Sequence, residues 1–250
     1  SRRCCSWSKA LEANGCSFQI LRTAKDDMTK FPFDIVGFDL DGTLLDTSIE
    51  LAASLNHALQ SIGRPPIATD GVKALVGMGT RHMLTLGLQQ SGEAEEEVIR
   101  ALHPVLIDHY RANLGSNCPP FPGLVTAIDA LEAMGVKLAV VTNKFESLAV
   151  ELLGNVGLAE RFVTIIGGDT MGKGNGKPKP DPIHEMIARC GGGRAAYIGD
   201  SIHDVHASRA AGIPSVAVAF GFLSQPAEEL GADAVINHYD ELVETLHTLG

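Results

Sequence analysis

The sequence predicts an α/β fold, a doubly wound parallel sheet carrying an inserted helical domain, and three observations lead there. Short apolar runs alternate with helical patterns from residue 124 to the C-terminus, and a run of the same kind stands alone at Asp34–Leu40. Between them lie roughly 70 residues with helical periodicity and no convincing strand. Apolar runs without polar alternation fit strands buried on both faces, as parallel sheets require.

Taken in order, residues 1–27 differ from the rest. They hold five basic residues (Arg2, Arg3, Lys9, Arg22, Lys25) against three acidic ones, with three of the five cysteines and the single tryptophan, Trp7. They lack the apolar stretch of a secretory signal. An Arg- and Ser-bearing, acid-poor leader fits a transit peptide; the preferred expectation is a non-native or disordered leader, with Met28 the natural start. The first strand is expected over Asp34–Leu40, and its successors over Lys137–Thr142, Phe162–Ile166, Ala195–Ile198, Ser215–Ala219 and Ala234–Ile236. Helices are expected at 124–134, 145–155, 182–190, 202–211 and 239–248, so strand and helix succeed each other regularly.

The insert, residues 47–120, divides the core into 28–46 and 121–250. Leu51, Leu55, Ala58, Leu59 and Ile62 draw one apolar stripe on a helix, and Thr47 with Glu50 makes a capping-box signature at its start. Further helices are expected near 70–76, 80–90 and 94–113, the last kinked or divided at Pro104.

Composition excludes several classes of function. A 250-residue chain with 45% hydrophobic residues is long and apolar enough to bury a core, and no apolar run approaches a bilayer span. The net charge of −10 lacks the electrostatic footprint of phosphate-backbone binding, so neither nucleic acid nor membrane is an expected partner. Cys4, Cys5, Cys16, Cys118 and Cys190 show no repeated C-x-x-C spacing, which suggests free thiols in a reducing cytoplasm rather than a disulfide framework or a zinc site.

In open α/β sheets ligands bind beyond the carboxyl ends of the strands, and four such ends carry polar residues. The first supplies Asp39-Leu40-Asp41-Gly42-Thr43, with both carboxylates on one side of an extended segment. A lone aspartate there is as readily a turn former. The second supplies Thr142-Asn143-Lys144, which suits an anion but also an ordinary helix start. The third is Gly174-Asn175-Gly176-Lys177-Pro178-Lys179-Pro180, a proline-stiffened loop with lysines that reach a phosphate or solvent. The fourth, Gly199-Asp200-Ser201-Ile202-His203-Asp204, holds two carboxylates four residues apart, on one side of a first helical turn. Together they gather Asp39, Asp41, Asp200 and Asp204 around one point beside Lys177. Carboxylates so grouped require a cation, and hard oxygen ligands suit Mg²⁺ with substrate phosphate oxygens. The pattern points to metal-assisted phosphoryl transfer, one aspartate attacking phosphorus and a second moving the leaving-group and water protons.

These four segments, in this order, resemble the motifs of the haloacid dehalogenase-like hydrolase superfamily over about residues 33–248. The resemblance implies a Rossmann-like core with a small helical cap, Asp39 as nucleophile and Asp41 as general acid/base. It implies that Thr142 and Lys177 hold the phosphoryl group, and that Asp39, the Asp41 carbonyl and Asp200 bind Mg²⁺, with Asp204 an outer or alternative acidic partner. Lys177 is preferred to Lys179 because family members carry Lys-Pro-x-Pro before an apolar helix. Gly42, Thr43 and Asn143 are assigned to substrate contact. Arg81, in the cap segment Val76-Gly77-Met78-Gly79-Thr80-Arg81-His82, is expected to pair with a substrate carboxylate, although an exposed helix-start cation fits as well. Within the family the sequence is similar to bacterial phosphoglycolate phosphatases, and the presence of Asp41 disfavours carbon–halogen substrates.

The expectation is therefore a cytoplasmic, monomeric or homodimeric, Mg²⁺-dependent phosphomonoester hydrolase working through an aspartyl phosphate on a small phosphorylated metabolite, 2-phosphoglycolate first. Its rivals are a phosphomutase of the β-phosphoglucomutase type, a phosphatase for sugar phosphates, nucleotides or pyrophosphate, and an idle binding module on the same fold.

Overall fold

Six short strands, β1 (Ile35–Phe38), β2 (Lys137–Val141), β3 (Thr164–Ile166), β4 (Ala195–Gly199), β5 (Ser215–Val218) and β6 (Ala234–Ile236), form one sheet in a computed structural model that describes residues 30–250. The expectations for residues 1–27 and Met28 lie outside the described residues. The spatial order is β3-β2-β1-β4-β5-β6 and every pairing is parallel. All four residues of β1 and all five of β4 are buried, the burial on both faces that their unbroken apolar sequence anticipates.

Helices α5 (Leu124–Ala133), α6 (Glu146–Asn155), α7 (Asp181–Arg189), α8 (Ile202–Ala211) and α9 (Leu242–Leu249) connect or follow the strands. One core cluster joins Ile35, Val141, Ile166 and Tyr197 of the sheet to Ile183 and Met186 of α7, all without solvent exposure. Each such side chain contributes about 1.5–3 kcal/mol by leaving water. The chain order reverses at β1, which has β2 on one side and β4 on the other, so the carboxyl ends of these three strands open at the switch point where ligands bind in such sheets.

Residues between β1 and α5 contain helices only: α1 (Ser48–Ser61), α2 (Thr69–Lys73), α3 (Thr80–Gln89) and α4 (Glu96–Ala112). Leu51, Leu55, Ala58 and Leu59 are buried along α1, which packs chiefly on α4. The expected stripe stops there, because α1 ends at Ser61 and Ile62 lies beyond it, 44% exposed. Helix α4 is not divided at Pro104 but runs through it. The proline is on an exposed face, where the Arg100 carbonyl it leaves without an N–H partner can be hydrated.

The expected capping box at Thr47 and Glu50 does not form. Thr47 instead donates its hydroxyl to Asp41 Oδ1 at 2.7 Å, and the buried Glu50 accepts the Gly115 and Asn117 amides at 3.2 and 2.6 Å. The start of α1 is served by Asp46, whose Oδ1 accepts the Ser48 amide at 3.1 Å. A carboxylate and two loop N–H groups brought in by tertiary structure displace the local pairing that the sequence suggests.

Candidate active site

The register Phe38↔Val140 and Phe38↔Ile198 brings the residues that follow β1, β2 and β4 to one edge of the sheet. Asp39 follows β1 directly, with its amide bonded to the Ile198 carbonyl at 2.9 Å and its side chain buried. Asp200 follows β4, and Asp204 lies in the first turn of α8. One carboxylate oxygen from each of these three aspartates lies within 4.8 Å of the other two. Among the described residues this is the only such acidic, histidine or cysteine cluster.

Lys177 is driven into the cluster. Its Nζ is 2.9 Å from Asp39 Oδ1 and 2.6 Å from Asp204 Oδ1, and it donates to the Tyr197 hydroxyl at 3.0 Å. Burial alone would lower its pKa, but Asp204 and Asp39 outweigh that and hold it well above the ordinary lysine value. Lys179, by contrast, bonds the Asn175 side chain on the surface at 2.9 Å. Asp204 spends Oδ1 on Lys177 and Oδ2 on the Ser201 amide at 2.9 Å, so its oxygens brace the lysine and the start of α8.

The remaining carboxylates are short of positive partners. Burial pushes Asp39 up to about 6; Lys177 opposes the rise and Asp204 adds to it. Asp200 rises well above the usual carboxylate range, through burial first and then Asp39 and Asp204. Its hydrogen-bond donor is the Phe222 amide, at 2.6 Å from Oδ2. Three buried carboxylates around one lysine, offering hard oxygen atoms at ligand spacing, fit a divalent cation of the Mg²⁺ type.

Gly42 serves this cluster sterically. It adopts φ +81°, and a Cβ there would lie 2.1 Å from Asp200 Oδ2. The close approach of the β1 loop to Asp200 therefore needs a residue with no side chain. Thr43 is buried, with no hydrogen-bond partner on its hydroxyl, and its carbonyl accepts from Tyr239 at 2.8 Å.

Asp41 stands apart from the cluster. Its carboxylate accepts Lys144 Nζ on both oxygens, each at 2.8 Å, as well as the Thr47 hydroxyl. Its side chain is therefore not one of the grouped metal-type ligands, because Lys144 and Thr47 hold it toward the helical insert. The sequence assigns Lys144 no role of its own, although it directly follows Thr142-Asn143 at a strand end. Its side chain is almost wholly buried, burial opposes its charge, and Asp41 and Tyr110 more than restore it.

A cavity of about 30 Å³ lies between the strand ends and the insert, lined by Asp39, Asp41, Thr142, Asn143 and Lys144 on one side and by residues including Gly77, Thr80 and Met83 on the other. Asn143 ties the two sides together, donating to the carbonyls of Gly77 at 2.9 Å and Lys177 at 3.1 Å. Arg81 does not line this cavity. Its guanidinium pairs with Glu96 at the start of α4, with the two side chains 47% and 63% exposed.

Residues 36–218 match the model of the haloacid dehalogenase-like hydrolases. The chain belongs to that family. This haloacid dehalogenase-like hydrolase is 41% identical over 215 residues to a phosphoglycolate phosphatase of Agrobacterium fabrum, covering 84% of this chain and 90% of that one. It is 39% identical over 219 residues to a phosphoglycolate phosphatase of Caulobacter vibrioides, covering 86% and 91%. Among solved structures, that of a predicted phosphoglycolate phosphatase from Haemophilus somnus superposes with a TM-score of 0.78 at 26% identity, over 86% of this chain and 98% of that one. No helix among the described residues of the hydrolase is long and apolar enough to cross a membrane.

Proposed function

We propose that this hydrolase is a Mg²⁺-dependent phosphomonoesterase that works through an aspartyl phosphate on a small phosphorylated metabolite, with 2-phosphoglycolate as its substrate. The observation that carries this reading is the juxtaposition of two differently partnered aspartates. Asp39 lies in the carboxylate cluster with Lys177, and Asp41, two residues on, lies at the cavity wall with Lys144. Chemistry that breaks a P–O bond needs a nucleophile and a separate proton carrier, and the two environments supply one of each.

Asp39 Oδ1 is held by Lys177 and by the Leu40 amide at 2.7 Å, which leaves Oδ2 to attack phosphorus. Asp41 protonates the ester oxygen as its bond to phosphorus breaks, and takes a proton back from the water that cleaves the acyl phosphate. Thr142 and Lys177 hold the phosphoryl oxygens. Asp39, Asp200 and the Asp41 carbonyl would hold Mg²⁺, which supplies charge neutralisation for the transferring group. Asp204 acts by positioning Lys177. The insert serves as a cap: it closes the cavity and expels water from it.

The cavity supports a short substrate. Asp39, Asp41 and Thr142 themselves line it, with Gly77, Thr80 and Met83 of the insert close opposite, so the phosphate-contacting residues and the space for the rest of the substrate share one small enclosure. The relatives named phosphoglycolate phosphatase support the same choice. The test is phosphate release across a panel of phosphomonoesters with Mg²⁺, compared as kcat/KM. Preference for a sugar phosphate, or isomerised product without phosphate release, would overturn the assignment, as would near-normal turnover by Asp39→Asn.

A further inference from the structure

We propose that Lys144 is the specificity-determining residue that receives the substrate's carboxylate, making this site selective for phosphate esters of short 2-hydroxy acids. The inference rests on the phosphomonoesterase reading above and adds a substrate-reading group to it. Of the residues lining the cavity, Lys144 is the one cation: Lys177 sits in the carboxylate cluster on Asp39 and Asp204, at the phosphoryl end, and Arg81 is engaged with Glu96.

Its position follows from the chemistry of Asp41. An acid that protonates the ester oxygen touches the atom joined to the substrate's first carbon. A carboxylate on that carbon therefore lies beside Asp41 and would be repelled by it unless a cation stood with them. Lys144 Nζ stands there, 2.8 Å from each Asp41 oxygen. An ammonium has three donors, and Asp41 takes two of them. The third is not taken by a second carboxylate and can turn to an incoming one.

One further feature favours an anion at this point. Gly79 and Thr80, which open the ten-residue helix α3, form the facing wall and present its positive end. A sugar phosphate carries a hydroxyl where this arrangement offers positive charge, and so gains little from it.

The experiment compares 2-phosphoglycolate with its neutral isostere 2-phosphoglycolamide, with Mg²⁺, on the wild-type chain and on Lys144→Met, Lys144→Gln and Lys144→Arg. The wild type should prefer the acid in kcat/KM by roughly 10- to 100-fold, mostly through KM. Lys144→Met should bring that ratio to about one, and Lys144→Arg should keep most of it; Lys144→Gln replaces the Met variant if the latter does not fold. A ratio unchanged in the neutral variants would mean that Lys144 acts on Asp41 alone, which overturns this inference and leaves the phosphatase reading standing. A wild type that releases phosphate without preferring the acid would overturn the choice of 2-phosphoglycolate, and this inference with it.

Discussion

Asp39 should make the cation-free protein more stable as the pH falls, the reverse of the usual behaviour of a paired aspartate. Burial raises its carboxyl from 3.8 to about 6 in the folded protein, against the opposing pull of Lys177. Between those values the folded chain binds more protons than the unfolded one, so this group's contribution to stability falls as pH rises through the window. The whole shift corresponds to about 3 kcal/mol, and the portion between pH 7.5 and pH 5 to about 1.5 kcal/mol. Half-buried histidines act in the opposite direction: partial burial lowers His103, His109 and His203, and protons bound by the unfolded chain then destabilise the fold on acidification. A comparison with Asp39→Asn cancels them. Urea unfolding followed by circular dichroism in EDTA, at pH 5 and 7.5, should show the wild type gaining about 1.5 kcal/mol more than the variant at the lower pH. A variant that tracks the wild type to within about 0.3 kcal/mol would refute the claim that Asp39 ionises at a cost in the cation-free site.

Three further outcomes follow from the geometry. Lys177→Met should lower kcat on any accepted phosphomonoester by roughly 100-fold or more, whereas Lys179→Met should change it by less than about threefold; equal losses in steady-state assays would count against the assignment. Glu50→Gln should destabilise the fold by about 1–3 kcal/mol in thermal or urea unfolding, because a neutral amide replaces the carboxylate that accepts the Gly115 and Asn117 amides. Gly221→Ala places a Cβ 2.3 Å from the Asp200 Cβ and 2.6 Å from the Gly42 carbonyl; titration calorimetry should show Mg²⁺ affinity reduced about tenfold or more, and unchanged affinity would remove Asp200 from the metal site.

Much of this site can be found in the sequence because a parallel sheet makes it local. Apolar runs such as Asp34–Leu40 and Ala195–Ile198 mark the strands, and the residues that follow them fall at the switch point, so Asp39, Thr142 and Asp200 need only their own segments to be located. What the sequence hides is which charged group faces which. Lys144 and Asp41 are 103 residues apart, and the polar stretch that follows β2 gives no sign that its lysine turns inward. Arg81 looks like a ligand for an anion until α4 brings Glu96 beside it. Thr47 and Glu50 read as a local cap, yet both are claimed by partners that only the folded chain supplies. The run through Pro104 likewise depends on the residue's exposed side, which periodicity alone does not settle.

The pairings also bear on which cation the site would take. Four buried or half-buried carboxylates, Asp39, Asp41, Asp200 and Asp204, meet two buried ammonium groups, Lys144 and Lys177. Two negative charges are left over, and they concentrate where Asp39 and Asp200 approach each other, since Lys144 is committed to Asp41 and Asp204 to Lys177. A monovalent ion would leave one charge unmatched in a site from which water is largely excluded, at a cost of several kcal/mol in real proteins. A divalent ion closes the count, and on the function proposed above it would be Mg²⁺. Activity after EDTA treatment should therefore return with Mg²⁺ and not with K⁺ or Na⁺ at any concentration, and Ca²⁺ should bind without restoring turnover. Full activity with monovalent ions alone would show that Lys144 or Lys177 is not holding its partner as the geometry indicates, and would break the charge argument at its first step.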